Sequence, residues 1–330
     1  MRRAMAEADV GDDFFGEDPT VRLLEEETAA ALGKESALFV PSGCMGNEIA
    51  IAVQTRRGDA VFLDRLSHVV QVEAQAVTEL LGRRFILREG NRGRLSPEEV
   101  ASASPGNGSE ELSIGLVEVE NTHNWGSGAI YPLPQLQGIA DAARARRLPV
   151  HLDGARVWNA CAATGVSPAA YAAQADSVMV CYSKSLGAPV GSAIAGTKAF
   201  IQESRGVRKV FGGAMRQAGI LAAGALHGLR HHRAGLAADH ARARRLAEAF
   251  ASTPGLSIDP GEIESNILIA EVVRRPERFQ EFIDAVKAEG VFLYPFGGPG
   301  RFRAVTHLDV DDAGVERAIA AVRRAAVLLA

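Results

Sequence analysis

The chain has 330 residues, 47% of them hydrophobic, which is more than a single core usually holds and leads us to expect two domains. Its 36 basic and 40 acidic residues are well mixed and sum to a net charge of -4, so no extended field suited to nucleic acid is expected. No apolar run reaches the roughly 18 to 20 residues that cross a bilayer, and the opening Met1-Arg2-Arg3-Ala4-Met5-Ala6-Glu7 lacks an apolar leader, so a soluble, cytoplasmic protein is expected.

Apolar β-rich runs alternate with amphipathic helical ones through the first two-thirds of the chain, the pattern of a mostly parallel sheet covered by helices. A helix from about Thr20 to Leu32 stops at Gly33, a C′ glycine, and a short strand Ala37–Val40 runs into Pro41. The loop Ser42-Gly43-Cys44-Met45-Gly46-Asn47 opens a helix toward Gln54. Strand Ala60–Leu63 leads to a loop bearing His68, followed by a helix Val72–Leu81 and a strand Arg84–Leu87. A polar stretch, Ser102 to Ser109, reads as a surface loop. Strand Ile114–Val119 delivers Glu120-Asn121-Thr122-His123-Asn124 at its end. A helix Leu133–Arg146 feeds the strand Pro149–Leu152, which ends in Asp153-Gly154-Ala155-Arg156, and strand Ser177–Cys181 ends at Tyr182-Ser183-Lys184. Four polar clusters therefore sit just beyond strand C-termini, the edge at which open α/β sheets bind ligands, and this points to one site.

From Gly213 a long helix is expected to about Ser252 with a break near Gly235. Beyond it a smaller α+β unit is expected, with strands Asn266–Glu271, Val291–Tyr294 and Phe302–His307 and helices Glu277–Glu289 and Ala313–Ala330. The boundaries are a large domain over 1–235 and a small C-terminal domain over 236–330. The arginine-rich patch from His227 to Arg245 has the period of a helix with one solvated face, a reading we prefer to a polyanion site. Cys44, Cys161 and Cys181 have neither a disulfide nor a zinc spacing; no metal site is expected, and Cys161 and Cys181 read as core-filling thiols. His151 and His307 read as strand packing residues, and His227, His231, His232 and His240 as solvated.

Lys184 follows an apolar strand among small residues, Ser183-Lys184-Ser185-Leu186-Gly187-Ala188-Pro189-Val190-Gly191, and such a lysine can hold an aldehyde as an imine when its amine is neutral. Asp153 ends a neighbouring buried strand, and a carboxylate there needs a positive partner. A pyridinium nitrogen is one such partner; an internal ion pair with Arg156 is the other. Arg156 also offers a bidentate fork for a carboxylate. Ser42 to Asn47 enters a helix, where free N–H groups bind phosphate, although the glycines there also suit a plain strand-to-helix turn.

Together these residues resemble the low-specificity L-threonine aldolases, fold-type I enzymes that use pyridoxal 5'-phosphate (PLP). The resemblance covers nearly the whole chain: Met5-Ala6-Glu7-Ala8 through Val10-Gly11-Asp12-Asp13, Phe15-Gly16-Glu17-Asp18-Pro19-Thr20, Phe39-Val40-Pro41-Ser42-Gly43, Ser67-His68, Glu120 to Asn124, His151 to Arg156, Ser183-Lys184 with Leu186 to Gly191, Met215-Arg216-Gln217 and Val305 to Val310. It implies an α/β fold with a mostly parallel central sheet in the large domain. It implies Lys184 as the Schiff-base lysine, Asp153 as the pyridinium partner and His68 as the imidazole stacked on the ring. Gly43 and Cys44 match the phosphate-binding pair, where the family commonly has Gly-Thr. Arg216 matches an arginine that reaches the phosphate of a neighbouring subunit's cofactor, so a homodimer or homotetramer is implied. Arg156 and Arg303 match a substrate-carboxylate clamp, and His123 an imidazole near the substrate hydroxyl. The implied reaction is cleavage of L-threonine, L-allo-threonine and related L-3-hydroxy amino acids to glycine and an aldehyde, with His68 or His123 as the base.

The chain departs from the family pattern in lacking an N-terminal segment of the Asp-Leu-Arg-Ser-Asp-Thr type before Met1, in Ser185, and in Ala214 after Gly212-Gly213. Trp125 either reshapes the aldehyde pocket toward larger or aromatic groups or packs at its rim. Two further readings stand beside the aldolase: another PLP reaction (transaldolase, β-eliminating lyase or racemase), and a PLP-binding protein without turnover.

Overall fold

The computed structural model describes residues 1–104 and 113–330. The surface loop expected at Ser102 to Ser109 lies, beyond Ser104, outside the described residues. Seven strands form the main sheet: β1 (Ser36–Val40), β2 (Ala60–Asp64), β3 (Arg84–Arg88), β4 (Ile114–Glu120), β5 (Val150–Gly154), β6 (Ser177–Cys181) and β7 (Ser192–Gly196), in the order β1-β7-β6-β5-β4-β2-β3. β7 alone is antiparallel to its neighbours β1 and β6; the pairs from β6 across to β3 are parallel. Every residue of β2, β5, β6 and β7 is buried. Helices cover both faces, which is why β2 and β6 read as largely apolar runs.

β7 and the helix Lys198–Val210 behind it escaped the sequence reading. The run Ser192-Ala193-Ile194-Ala195-Gly196 is too small-sided to look like a strand, yet it must slot between β1 and β6. Gly191 makes the entry: its φ is +109, and a Cβ there would lie 2.5 Å from the Phe39 ring. Gly33 caps the helix Pro19–Leu32 in the left-handed region, as expected.

A second, four-stranded antiparallel sheet runs β10-β11-β9-β8, from β8 (Leu256–Ser257), β9 (Ile267–Val272), β10 (Tyr294–Pro295) and β11 (Arg301–Val305), with the helices Phe279–Ala288 and Asp312–Ala325 against it. The two largest cores follow the two sheets, and two smaller clusters pack beside the main one. One gathers residues from Val21 to Leu236, centred on Phe39, Phe62, Leu152 and Tyr182; the other runs from Ala243 to Leu329 around Phe250, Phe282 and Phe302. Fully burying each such ring contributes roughly 1.5 to 3 kcal/mol.

Several boundaries differ from expectation. The long helix begins at Gly219 rather than Gly213 and is broken by a 3-10 turn at Arg233–Gly235 before resuming at Leu236–Ala251. Val72–Leu81 is a short helix His68–Val72 followed by a π turn Ala76–Leu80, and the strand at Val291–Tyr294 shrinks to Tyr294–Pro295. The basic patch is laced to acidic partners, Arg242 to Asp239 and Asp312, and Arg245 to Asp312 and Glu316. Two histidines correct the sequence reading. His240 is 5% exposed and bonds Asn159 through Nε2 at 3.0 Å, while His307 lies past the end of β11 and is exposed. Among the described residues no helix is long and apolar enough to cross a membrane, and all three cysteines are free.

Candidate active site

β1, β2, β4, β5 and β6 all end at the same edge of the sheet, and the segments leaving β1, β2, β5 and β6 meet around one cavity of about 230 Å³. Gly43, Cys44, Asn47, His68, Glu73, Asp153 and Lys184 line it. Helix Gly43–Gln54 starts at its wall. Ser42 caps that helix by accepting from the Met45 N–H at 3.2 Å, so the N–H groups of Gly43 and Cys44 have no partner within it. They are free for an anion.

Asp153 lies at the floor, 1% exposed. Its Oδ1 accepts from the Ala155 N–H at 2.9 Å and its Oδ2 from Asn47 Nδ2 at 2.8 Å. Burial pushes its pKa upward, but the Lys184 ammonium, His68 and these hydrogen bonds outweigh burial and hold the carboxyl below its usual range. An ionised carboxylate thus waits beneath the cavity. Asn47 is itself held: its Oδ1 meets His151 Nε2 at 3.1 Å, His151 Nδ1 meets Ser177 Oγ at 2.8 Å, and Gln54 Nε2 donates to that Oγ at 2.7 Å. Burial drives His151 down to about 4, so it is neutral; it is a packing residue, as expected, and part of this chain.

His68 forms a side wall. Its backbone N–H donates to Glu120 at 2.8 Å, and its Nδ1 lies 3.0 Å from both oxygens of Glu73. Burial alone would depress the imidazole, but the hydrogen bond and charge of Glu73, with Asp153 and Glu120, raise its pKa. Cys44 is pushed up to about 12, first by burial and then by Glu73, so its thiol stays neutral. Cys44, His68 and Glu73 also bring a thiol, an imidazole and a carboxylate within 4.8 Å of one another, a spacing that could take a metal ion, and the sequence reading foresaw no such group.

His123 is placed differently. It is 0% exposed, Nδ1 accepts from the Gly126 N–H at 3.0 Å, and Nε2 faces Asp64 at 3.5 Å and Glu120 at 3.7 Å. It does not line the cavity. Lys184 lies between the first cavity and a second of about 350 Å³ that Arg156 lines. Arg303 donates to Asn124 Oδ1 at 2.8 Å, and neither its Nε nor that of Arg156 has a partner. Burial, and then the nearby charge of Arg156, lowers the pKa of Arg303. Among the described residues neither guanidinium has a carboxylate within ion-pairing distance, contrary to the Asp153–Arg156 ion-pair alternative. Arg216 lies away from this cavity, with a side chain 60% exposed, paired to Asp12 at 2.7 Å.

Glu73 and the His151–Ser177–Gln54 chain were not read as functional. Glu73 is one acid just past the short helix His68–Val72 and carries no motif; only its position against His68 gives it a role.

The open N-terminus of a helix, a buried carboxylate, a lysine and an imidazole thus surround one cavity at the C-terminal edge of a mostly parallel sheet, in an α/β architecture. A Leishmania major threonine aldolase has the same fold, with a TM-score of 0.79 at 22% identity over 98% of this chain and 94% of its own. The model of the family described as "Beta-eliminating lyase" matches residues 1–272. Low-specificity L-threonine aldolase 1 of Arabidopsis thaliana is 35% identical over 98% of this chain and 92% of its own length, and the low specificity L-threonine aldolase of Escherichia coli (strain K12) is 33% identical over 94% and 90%. The chain belongs to the beta-eliminating lyase family, in its threonine aldolase branch.

Proposed function

We propose that the protein cleaves L-threonine, L-allo-threonine and related L-3-hydroxy amino acids to glycine and an aldehyde, with PLP held at Lys184. The observation that carries this is the ionised, buried Asp153 beneath a cavity lined by Lys184, His68 and the open N-terminus of a helix. These residues fit PLP group by group: an anion cradle for the phosphate, a carboxylate for the ring nitrogen, an amine for the aldehyde and an imidazole for the ring face. Bound there, PLP would accept the electron pair released when the Cα–Cβ bond breaks.

The chain's own residues then have separate tasks. Arg156 and Arg303 bind the substrate carboxylate, whose charge relieves their mutual repulsion. Asp153 stays ionised and holds the positive charge above it. His68 takes the β-hydroxyl proton on Nε2 as the aldehyde forms, directly or through water, because Glu73 engages Nδ1. We favour His68 over His123 as the base, since His123 is enclosed by Asp64, Glu120 and Gly126. Return of a proton to Cα completes glycine.

Borohydride reduction of the PLP-loaded protein followed by peptide mapping should find the cofactor on Lys184, and Lys184→Ala should release aldehyde from L-threonine at least about 1000-fold more slowly. Cofactor fixed at another residue, or undiminished release, would overturn the assignment.

A further inference from the structure

Between the carboxylate clamp and the imidazole wall runs a strip of aromatic surface. Trp125 follows Asn124, whose Oδ1 accepts from Arg303 at 2.8 Å. Its ring meets His68 edge-on, centroids 5.9 Å apart, and lies 4.7 Å from the ring of Phe296 at 34°. The Arg303 guanidinium lies 4.3 Å from the Phe296 centroid. Trp125 comes from the loop after β4 and Phe296 from the turn between β10 and β11, so both domains contribute. Neither ring is fully buried, and each keeps surface for a further partner.

We propose that Trp125 and Phe296 form the side-chain pocket of the substrate and select L-3-hydroxy amino acids with an aromatic β-substituent, of the phenylserine type, which release an aromatic aldehyde. The inference rests on the aldolase reading above. A substrate carboxylate at Arg156 and Arg303 and a β-hydroxyl directed at His68 leave the β-substituent facing this strip. A methyl group would cover little of it, whereas a phenyl ring can stack or meet it edge-on and remove far more apolar surface from water.

The test compares kcat/KM for L-phenylserine and L-threonine in the wild type, Trp125→Ala and Trp125→Phe. The wild type should favour phenylserine by about tenfold or more. Trp125→Ala should lose most of that preference, lowering kcat/KM for phenylserine far more than for threonine, and Trp125→Phe should recover part of it. L-Phenylalanine, which has no β-hydroxyl to cleave, provides a readout without turnover. Of the two tryptophans Trp158 is 2% exposed, so L-phenylalanine should change the fluorescence of Trp125, and L-alanine should not. Threonine cleavage with an unchanged substrate ratio in Trp125→Ala, or no fluorescence response, would reduce Trp125 to rim packing and overturn the proposal alone. Aldehyde from neither substrate would overturn the aldolase reading and this proposal with it.

Discussion

Glu73 decides what the imidazole of His68 can do. With Nδ1 held 3.0 Å from either carboxylate oxygen, the Nδ1–H donates to Glu73 and Nε2 keeps its lone pair toward the cavity. Because Glu73, together with Asp153 and Glu120, favours the charged imidazolium more than burial disfavours it, His68 holds its proton to a higher pH than a free imidazole. A rate that needs neutral His68 therefore rises as pH climbs through this raised value. Replacing Glu73→Gln removes the stabilising charge and leaves burial in place, so the rising limb of kcat/KM against pH should move to lower pH by about one unit, with a lower maximal rate. A limb that stays put would show that Glu73 only packs against His68.

At the scale of elements, β5 carries two polar residues, His151 and Asp153, inside a strand buried on both faces. Asn47 joins them, and the Gln54–Ser177–His151–Asn47 chain orients the amide that donates to Asp153. The arrangement has a cost in acid. His151 titrates near 4 when folded and near 6.5 when unfolded, so below about 6.5 the unfolded chain takes up a proton that the folded one refuses. Stability is lost as pH falls from about 6.5 to 4, by roughly 3 kcal/mol for this group. His240, likewise pushed down to about 4 by burial and Arg244, adds a loss in the same window. Urea unfolding at pH 7 and pH 4.5 should show the drop, and His151→Gln should shrink it by about 2 kcal/mol while lowering stability at pH 7. An identical drop in the variant would mean that His151 is protonated in the fold.

For the whole molecule, Arg216 poses the question of assembly. Within one chain it sits on the surface, paired with Asp12 and stacked over Phe14 at 4.7 Å and Phe15 at 5.8 Å, away from the cavity that Lys184 lines. We propose that it serves the cofactor phosphate of a second copy in a homodimer or a homotetramer built from such pairs. In a hybrid of Lys184→Ala and Arg216→Ala subunits, one site then has both its own Lys184 and the partner's intact Arg216 position. Equal mixing after dissociation should restore about one quarter of wild-type aldehyde release from two nearly inactive variants. A mixture no more active than its parts would confine Arg216 to its own chain.

Strand periodicity, the glycine stop at Gly33 and the polar clusters beyond four strands placed most of the large sheet and brought Lys184, Asp153, His68, Gly43 and Cys44 to one edge, because alternation and burial are local properties of the chain. β7 was illegible for the same reason: its residues are small, and only the gap between β1 and β6 makes them a strand. The sequence alone determined which residue types could hold a phosphate, a ring nitrogen and an aldehyde. Only the tertiary structure decided which imidazole faces the cavity, that Glu73 stands behind it, and that Phe296, from the turn between β10 and β11, meets Trp125. Those contacts join residues remote along the chain, and no periodicity within one segment encodes a distance to another.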